Sequence, residues 1–336
     1  MKAAVLHGAK EIRTQTVDDP VCAPHGVIIK VNSCGICGSD LHWYKFDGHE
    51  GTIFGHELSG DIVEVGKDVR GVEIGTRCTA VGFSPCNECF WCRQGKAHRC
   101  QAMELLGYQL PGAMAEYVHI PFAAPGRTVF PIPGEMSYED AASVEPFSIS
   151  YFSVNRGQPK PDEVVAVIGL GVIGLYAVQI LKAMGVKKVI AAGRRPSRLE
   201  AARLSGADVI IDAAAQNTVE AVMEATDLMG VNTVVECAGN QTAFDQAVEI
   251  ARGGGKILLV GVYEDPLTWQ PLPVIGKNLT LIGCLGGNFR AVIELFKEGK
   301  VNTKGMITHR FSLDEAATAF RTQLEDPAAV KVMIKP

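Results

Sequence analysis

Four cysteines lie close together within the first third of the chain, a density that random placement would rarely produce. They are Cys86, Cys89, Cys92 and Cys100, in the pattern C-x2-C-x2-C-x7-C. Four thiolates at short spacing are typical of a closed, tetrahedral structural zinc site. Iron–sulfur ligation also uses closely spaced cysteines, so the spacing leaves the metal open, and buried free thiols are a weaker alternative. The pattern predicts a structural metal site.

A second group of possible metal ligands is dispersed along the chain. It consists of Cys37, the adjacent pair His56 and Glu57, and Glu145. A thiolate, an imidazole and a carboxylate leave one position open for water or substrate, which distinguishes catalytic from structural zinc. Only folding can bring these residues together, and a lone histidine or glutamate is more often a hydrogen-bonded structural group than a ligand.

A glycine-rich turn predicts a dinucleotide site. It consists of Gly169, Leu170, Gly171, Val172, Ile173 and Gly174, after an apolar segment and at the start of a helical one. The first glycine permits a tight turn, the second lets a pyrophosphate approach the backbone, and the third brings helix and strand close. Free amides at the helix start bind the phosphates. A turn without a ligand is the alternative, but every part of the motif is in place.

The end of the next apolar segment predicts which cofactor binds. An acidic residue about 20 positions after the glycines would bind the ribose 2′-hydroxyl of NAD. The chain has Gly193 there, followed by Arg194 and Arg195. Because guanidinium groups bind phosphate through paired hydrogen bonds, we expect NADP in preference to NAD. Arg194 would be the main contact and Arg195 its support, unless both are solvated charges at a helix start.

Six apolar segments in the second half of the chain have the character of buried strands. They are Val164–Ile168, Val189–Ala192, Val209–Ile211, Thr233–Cys237, Lys256–Val260 and Leu279–Ile282. Strands without polar alternation suit a parallel sheet buried on both faces, and the segments between them have helical length and spacing. The pattern predicts an α/β protein with a doubly wound parallel sheet over residues 151–286.

Residues 1–150 have a different character. Short alternating segments such as Val27–Val31 and Asp61–Val65 are separated by Gly, Pro and Asp, which is typical of an irregular, mostly β domain. A length of 336 residues also predicts two domains, at about 150 residues each. The last fifty or so residues show no further clear strand–helix repeat and could pack on either domain.

Composition excludes several classes of function. Apolar residues make up 47% of the chain and charged residues 21%, as in ordinary globular proteins. A formal charge of −5 without a basic run predicts no nucleic-acid partner and no membrane association. No secretory signal is visible after Met1. We therefore expect a cytoplasmic protein, in which clustered cysteines are metal ligands or redox groups rather than disulfides.

Together these segments resemble the zinc-dependent medium-chain dehydrogenases. The loop around Cys37, the pair His56 and Glu57, the four-cysteine lobe, Glu145 and the glycine turn occur in that family's order, and the match spans the whole chain. The resemblance implies a GroES-like catalytic domain of residues 1–150 and 287–336, interrupted by a Rossmann domain of residues 151–286. It also implies a homo-oligomer, a dimer or a tetramer.

The resemblance implies a role for each dispersed residue. Cys37 and His56 match ligands of a catalytic zinc, and Glu57 matches a carboxylate that is a direct ligand in only some members. Glu145 stands where liver-type alcohol dehydrogenases have a cysteine, and a glutamate there resembles sorbitol, butanediol and threonine dehydrogenases. Which glutamate is the direct ligand stays open. Ser39 and His42 resemble the family's proton relay, although His42 could be an ordinary histidine on a helix face.

The implied reaction is hydride transfer between NADP (or NAD) and a polyol, vicinal diol or sugar-derived secondary alcohol. Zinc lowers the pKa of bound water from about 15.7 to about 7 and would favour an alkoxide likewise, before hydride passes to nicotinamide. A sugar pocket could be lined by the aromatic residues Trp43, Tyr44 and Phe46, unless these belong to the core. A threonine-type amino-alcohol dehydrogenase is one alternative. A non-catalytic NADP-binding regulator is another, although such a protein would be expected to have lost metal or relay residues.

Overall fold

The computed structural model describes residues 1–336, and the chain divides into two compact units. Unit 1 comprises Met1–Glu145, Phe289–Lys297 and Ile307–Pro336, and unit 2 comprises Pro146–Asn288 and Glu298–Met306. The chain therefore leaves unit 1 and later returns to it. No helix combines the length and the apolar character that a membrane crossing requires.

Strands and helices are numbered in chain order. The strands are β1 (Lys2–Gly8), β2 (Glu11–Thr16), β3 (Val27–Gly35), β4 (Glu57–Val65), β5 (Arg77–Ala80), β6 (Phe83–Ser84), β7 (Glu104–Leu105), β8 (Tyr117–Ile120), β9 (Val129–Pro131), β10 (Val164–Ile168), β11 (Lys188–Gly193), β12 (Val209–Asp212), β13 (Val231–Glu236), β14 (Ala251–Leu259), β15 (Thr280–Gly283), β16 (Ile307–Ser312) and β17 (Lys331–Lys335). The α-helices are α1 (Gly38–Tyr44), α2 (Phe90–Arg93), α3 (Tyr138–Ala142), α4 (Val144–Gly157), α5 (Val172–Ala183), α6 (Pro196–Leu204), α7 (Thr218–Ala225), α8 (Gln241–Ile250), α9 (Leu272–Gly276), α10 (Phe289–Lys297) and α11 (Ala316–Glu325).

Unit 2 contains the predicted doubly wound sheet. Its six strands are ordered β12-β11-β10-β13-β14-β15, and every neighbouring pair is parallel. The strands run without polar alternation because helices such as α5 and α8 pack against the sheet, and the central strand β10 is almost entirely buried. All six predicted strands form, which confirms the α/β fold class.

The segment 298–306 packs within unit 2. The Gln179 side chain on α5 donates to the carbonyl oxygen of Asn302 at 3.0 Å and accepts from its backbone N–H at 2.9 Å. This pair of hydrogen bonds satisfies both polar groups of Asn302's backbone. The segment is thereby held on α5, although the residues before and after it in the sequence belong to unit 1.

Unit 1 is built on a mostly antiparallel sheet that positions the dispersed ligands. The order β16-β17-β3-β4-β5-β9, with β8 also paired to β3, places β3 between β17 and β4. Gly35 at the end of β3 pairs with Glu57 at the start of β4 and with Met333 on β17. Because Cys37 follows β3 and His56 precedes β4, this register brings the first two predicted ligands together.

Candidate active site

Three of the dispersed residues form one cluster. The Cys37 sulfur, a ring nitrogen of His56 and a carboxylate oxygen of Glu57 lie within 4.8 Å of one another. Glu57 is buried, and the His56 side chain is only 12% exposed. Cys34, three residues earlier on β3, lies outside the cluster, and burial raises the pKa of its thiol well above the usual range. Cys34 therefore stays a protonated core thiol.

Asp40 orients the imidazole of His56. Its Oδ1 lies 3.5 Å from His56 Nδ1, while its Oδ2 accepts a hydrogen bond from the Cys37 backbone N–H at 2.9 Å. A carboxylate at one ring nitrogen leaves the other nitrogen to bind a metal, as is usual in metal sites. Sequence reasoning missed Asp40, although its position three residues after Cys37, in the first turn of α1, was a usable signal.

The charges around His56 fit a bound cation. Burial lowers the pKa of the imidazole, but the negative charges of Asp40 and Cys37, with a smaller effect of Glu145, raise it well above the usual range. Asp40 Oδ1 and His56 Nδ1 are buried and face each other without a conventional hydrogen bond. A divalent cation would take the place of the proton on His56. The donor set of sulfur, nitrogen and oxygen suits zinc.

The two glutamates occupy different environments. Glu57 forms an ion pair with the buried ammonium group of Lys331, which also donates to the carbonyl oxygen of Ile36 at 2.9 Å. Glu145, in the first turn of α4, is partly exposed and lies outside the group of three. Burial raises the pKa of Glu145 to about 7, although its interaction with His56 opposes the shift. Glu145 is thus close enough to act on His56.

Helix α1 carries both predicted relay residues, Ser39 and His42. The His42 ring packs edge-on against Trp43 and Phe46, at centroid distances of 6.0 and 5.3 Å. Tyr44 is buried, and its hydroxyl donates to the Lys10 carbonyl oxygen at 2.9 Å. Tyr44 therefore belongs to the core and does not floor a pocket.

The four clustered cysteines converge as predicted. Their sulfurs lie within 4.8 Å of one another, with Cys86 to Cys100 at 3.4 Å and Cys86 to Cys92 at 4.0 Å. Sulfurs around one zinc, each about 2.3 Å from the ion, lie about 3.8 Å apart. Backbone N–H groups of Gln101 and Cys92 lower the pKa of Cys89 to about 6, which favours its thiolate. The lobe fits one tetrahedral ion rather than a larger cluster.

The three glycines of the turn after β10 have different surroundings. Gly169 has φ of +92°, and a side chain there would collide with the Ala238 backbone. A side chain on Gly174 would collide with the Gly169 carbonyl oxygen, so this glycine permits close helix–strand packing. Gly171 at the N-terminus of α5 faces open space, where a pyrophosphate could approach the amides. The turn has the geometry of a dinucleotide site.

A cavity of about 650 Å³ adjoins this turn. The cavity is lined by Gly171 and Gly193 and by both predicted arginines, Arg194 and Arg195. Arg198 on α6 lines it as well. Arg194 is exposed, whereas Arg195 and Arg198 are partly buried, and Arg195 Nη1 and Arg198 Nε lack hydrogen-bond partners.

Arg198 is a cavity-lining residue that sequence reasoning missed. Burial and the positive charge of Arg195 lower the pKa of its guanidinium to about 10. Two adjacent guanidinium groups with unsatisfied donors form a cationic corner that an anion would stabilise. The available signal was the three-residue spacing from Arg195, which places both side chains on one side of a helix start.

A buried carboxylate lies at the end of β13, directly before two residues that line the cavity. Glu236 at the end of β13 accepts hydrogen bonds from the backbone N–H groups of Ala238 and Gly239, at 2.7 and 2.9 Å. The Tyr263 hydroxyl donates to its other oxygen at 2.5 Å. These bonds fix the loop after β13, whose Ala238 backbone packs against Gly169.

The parallel sheet with its glycine turn and the two ligand clusters define a zinc-binding, dinucleotide-dependent dehydrogenase. Comparisons with known proteins agree with this class. The alcohol dehydrogenase GroES-like domain family matches residues 23–134, and the zinc-binding dehydrogenase family matches residues 172–298. The chain is 34% identical to sorbitol dehydrogenase of Bacillus subtilis over 348 residues, which covers 100% of this chain and 97% of the relative.

Solved structures show the same fold. A protein described as a zinc-binding dehydrogenase from Sinorhizobium meliloti 1021, bound to NADP, has a TM-score of 0.91 and 30% identity. An alcohol dehydrogenase from Escherichia coli CFT073, complexed with NADH, has a TM-score of 0.91 and 29% identity. Both alignments cover 100% of this chain and 99% of the other. The chain belongs to the zinc-dependent medium-chain dehydrogenase family and is an alcohol dehydrogenase-type oxidoreductase.

Proposed function

We propose that the chain is an NADP-dependent zinc dehydrogenase that interconverts a polyol, a vicinal diol or a sugar-derived secondary alcohol with its ketone. The observation that carries this proposal is the cluster of Cys37, His56 and Glu57 within 4.8 Å, with the charge of Glu145 acting on it. A relative at 34% identity is named for sorbitol, which supports a polyol substrate.

In this proposal Cys37, His56 and one of the two glutamates hold the catalytic zinc. When bound, zinc supplies a Lewis acid that lowers the pKa of the substrate hydroxyl. The protein supplies the remaining chemistry through its side chains. Asp40 holds His56 in the orientation that presents a free ring nitrogen, and Lys331 holds the Glu57 carboxylate in place.

The proton released by the substrate hydroxyl needs a path to water. We assign its acceptance to Ser39 Oγ, which gives up its own hydroxyl proton in the same step, and the delivery of a proton to solvent to the His42 imidazole, both on α1. Histidine suits the outer end of such a path because an imidazole can both accept and donate a proton.

The preference for NADP is supported by the cationic corner of the cavity. Arg195 and Arg198 have unsatisfied donors there, and Arg194 lies exposed at the same rim. A 2′-phosphate would pair with two guanidinium groups, whereas a 2′-hydroxyl would leave their repulsion uncompensated. One structural neighbour holds NADP and another NADH, so the preference depends on these residues.

The test is a substrate panel assayed with NADP⁺ and NAD⁺ by the absorbance of the reduced cofactor. Sorbitol, xylitol, butane-2,3-diol and L-threonine should be compared, with Cys37→Ser as the site variant and Cys22→Ser as the matched cysteine control. We expect the highest kcat/KM for a polyol or diol with NADP⁺, and no turnover for Cys37→Ser. L-threonine as the best substrate would replace the polyol proposal. If none of the four compounds is oxidised, a non-catalytic NADP-binding regulator is favoured.

A further inference from the structure

Tyr108 lies in a turn that is packed against the segment carrying His56. The Gly107 N–H donates to the Leu110 carbonyl oxygen at 2.8 Å, which closes the turn. Gly107 has φ of +81°, and a side chain on it would lie 2.9 Å from the Gly55 nitrogen. Only glycine therefore lets the turn approach the residue that precedes His56, and this approach directs Tyr108 to the metal cluster.

Aromatic contacts fix the Tyr108 ring. Its centroid lies 6.1 Å from that of His56, 5.7 Å from that of Trp43 and 6.5 Å from that of Phe54. A ring packed among three others has little rotational freedom, so its hydroxyl is held at a defined position.

The Tyr108 hydroxyl is buried and has no hydrogen-bond partner within the chain. A buried hydroxyl without a partner is costly, so a bound molecule that accepts its hydrogen bond would be stabilised there. The Ser39 hydroxyl is a neighbour of this phenol. A tyrosine hydroxyl carries its own proton and can donate it in a hydrogen bond, so Tyr108 offers a donor beside Ser39.

We propose that the Tyr108 hydroxyl donates a hydrogen bond to the substrate hydroxyl next to the one that is oxidised, which makes the enzyme select vicinal diols over simple secondary alcohols. The inference rests on the proposed function. Ser39 accepts the proton of the reacting hydroxyl, so a donor beside Ser39 is left for the neighbouring oxygen. Tyr108 is a specificity-determining residue in this scheme, and it makes no contribution to holding the metal.

The experiment compares butane-2,3-diol with butan-2-ol, which differ by the hydroxyl that Tyr108 would bind. Cobalt replaces zinc in the full-length protein, and each alcohol is titrated without cofactor while the visible absorption of the cobalt is followed. The Tyr108→Phe variant removes only the hydroxyl. Tyr117→Phe, on β8, is the control, because Tyr117 belongs to no candidate site.

We expect Tyr108→Phe to weaken diol binding about tenfold and to leave butan-2-ol binding unchanged, since one hydrogen bond is lost. Equal weakening of both alcohols, unchanged diol binding, or binding of neither alcohol by the parent protein would each overturn the inference. The titration distinguishes failure of this inference from failure of the proposed function, because it measures binding without turnover. A protein that binds diols through Tyr108 but oxidises none would support this inference and contradict the proposed dehydrogenase activity.

Discussion

Lys331 and Glu57 form an ion pair in which each side chain is only 2% exposed. Lys331 lies on β17 and Glu57 is the first residue of β4. Both strands pair with β3, so the ion pair links its two neighbours in the sheet. The Glu57 carboxylate therefore has a cation on one side and the ligands Cys37 and His56 on the other.

Replacing Lys331 by Met should destabilise the protein strongly. The substitution leaves the buried Glu57 carboxylate without its counter-charge, and breaking such a pair costs about 3–5 kcal/mol. The free energy of unfolding in urea measures the loss. Lys335→Met is the control, because Lys335 is 49% exposed in its pair with Glu139 and should cost about 1 kcal/mol or less. Equal losses of stability in the two variants would contradict the role of Lys331 as the buried counter-charge of Glu57.

Stability should depend on pH through Glu139. Hydrogen bonds from Arg310, at 2.8 and 2.7 Å, are the main reason that the pKa of Glu139 is lowered to about 2. The folded protein then binds the proton less tightly than the unfolded chain does, so the pair stabilises the fold above about pH 4.5 and loses its effect as the pH falls towards 2.

Glu139→Gln should therefore cost about 1–2 kcal/mol near pH 7, a value reduced for solvent screening. The difference from the parent should shrink steadily below about pH 4.5. Urea unfolding at several pH values measures it. A difference that stays constant down to about pH 3 would show that Glu139 does not act through its charge.

Arg198→Gln should shift the cofactor preference. Loss of one guanidinium from the corner should lower kcat/KM with NADP⁺ by about 10- to 100-fold and leave the value with NAD⁺ nearly unchanged. Arg203→Gln is the control on the same helix, because Arg203 is exposed and pairs with Glu200. An equal decrease with both cofactors would place Arg198 in folding rather than in recognition of the 2′-phosphate.

Cys92→Ser should remove the structural metal. Cys92 is the buried member of the four-cysteine lobe, and burial raises the pKa of its thiol to about 12, so only a bound cation makes its thiolate favourable. Elemental analysis should find one metal ion fewer per chain, and Tm should fall. The Cys22→Ser control should keep the full metal content. Unchanged metal content in Cys92→Ser would mean that the lobe binds none.

His42→Ala should slow alcohol oxidation near neutral pH without loss of zinc. The imidazole would be the group that releases the substrate proton to water, so the defect should diminish as the pH rises and hydroxide accepts the proton directly. The pH profile of kcat measures this. Rates equal to the parent at every pH would remove His42 from the relay.

Local sequence signals predicted the elements of the fold well. The six strands of unit 2 follow from runs of Val, Ile and Ala, because a strand buried on both faces needs apolar residues at every position. The glycine turn and the four-cysteine lobe were equally clear, since their parts lie within a few residues of one another and the short chain between them already restricts their geometry.

The residues around the ligands were harder to predict. Lys331 carries no local mark of its role, because its partner Glu57 lies in a distant part of the sequence and only the pairing of β3 with β4 and β17 brings the two together. The position of Tyr108 could not be predicted from nearby sequence either, because it depends on the packing of Gly107 against Gly55.

The sequence by itself determined the class of protein: the strand pattern, the glycine turn, the metal-ligating residue types and the arginines after β11. The tertiary structure decided which of those residues meet, and it added Asp40, Arg198, Lys331 and Tyr108 to them. The physical reason is that spacing constrains residues only over a few turns of chain. A ligand set assembled at the ends of β3 and β4, with Lys331 of β17 as its counter-charge, depends on strand register, packing and the balance of buried charge.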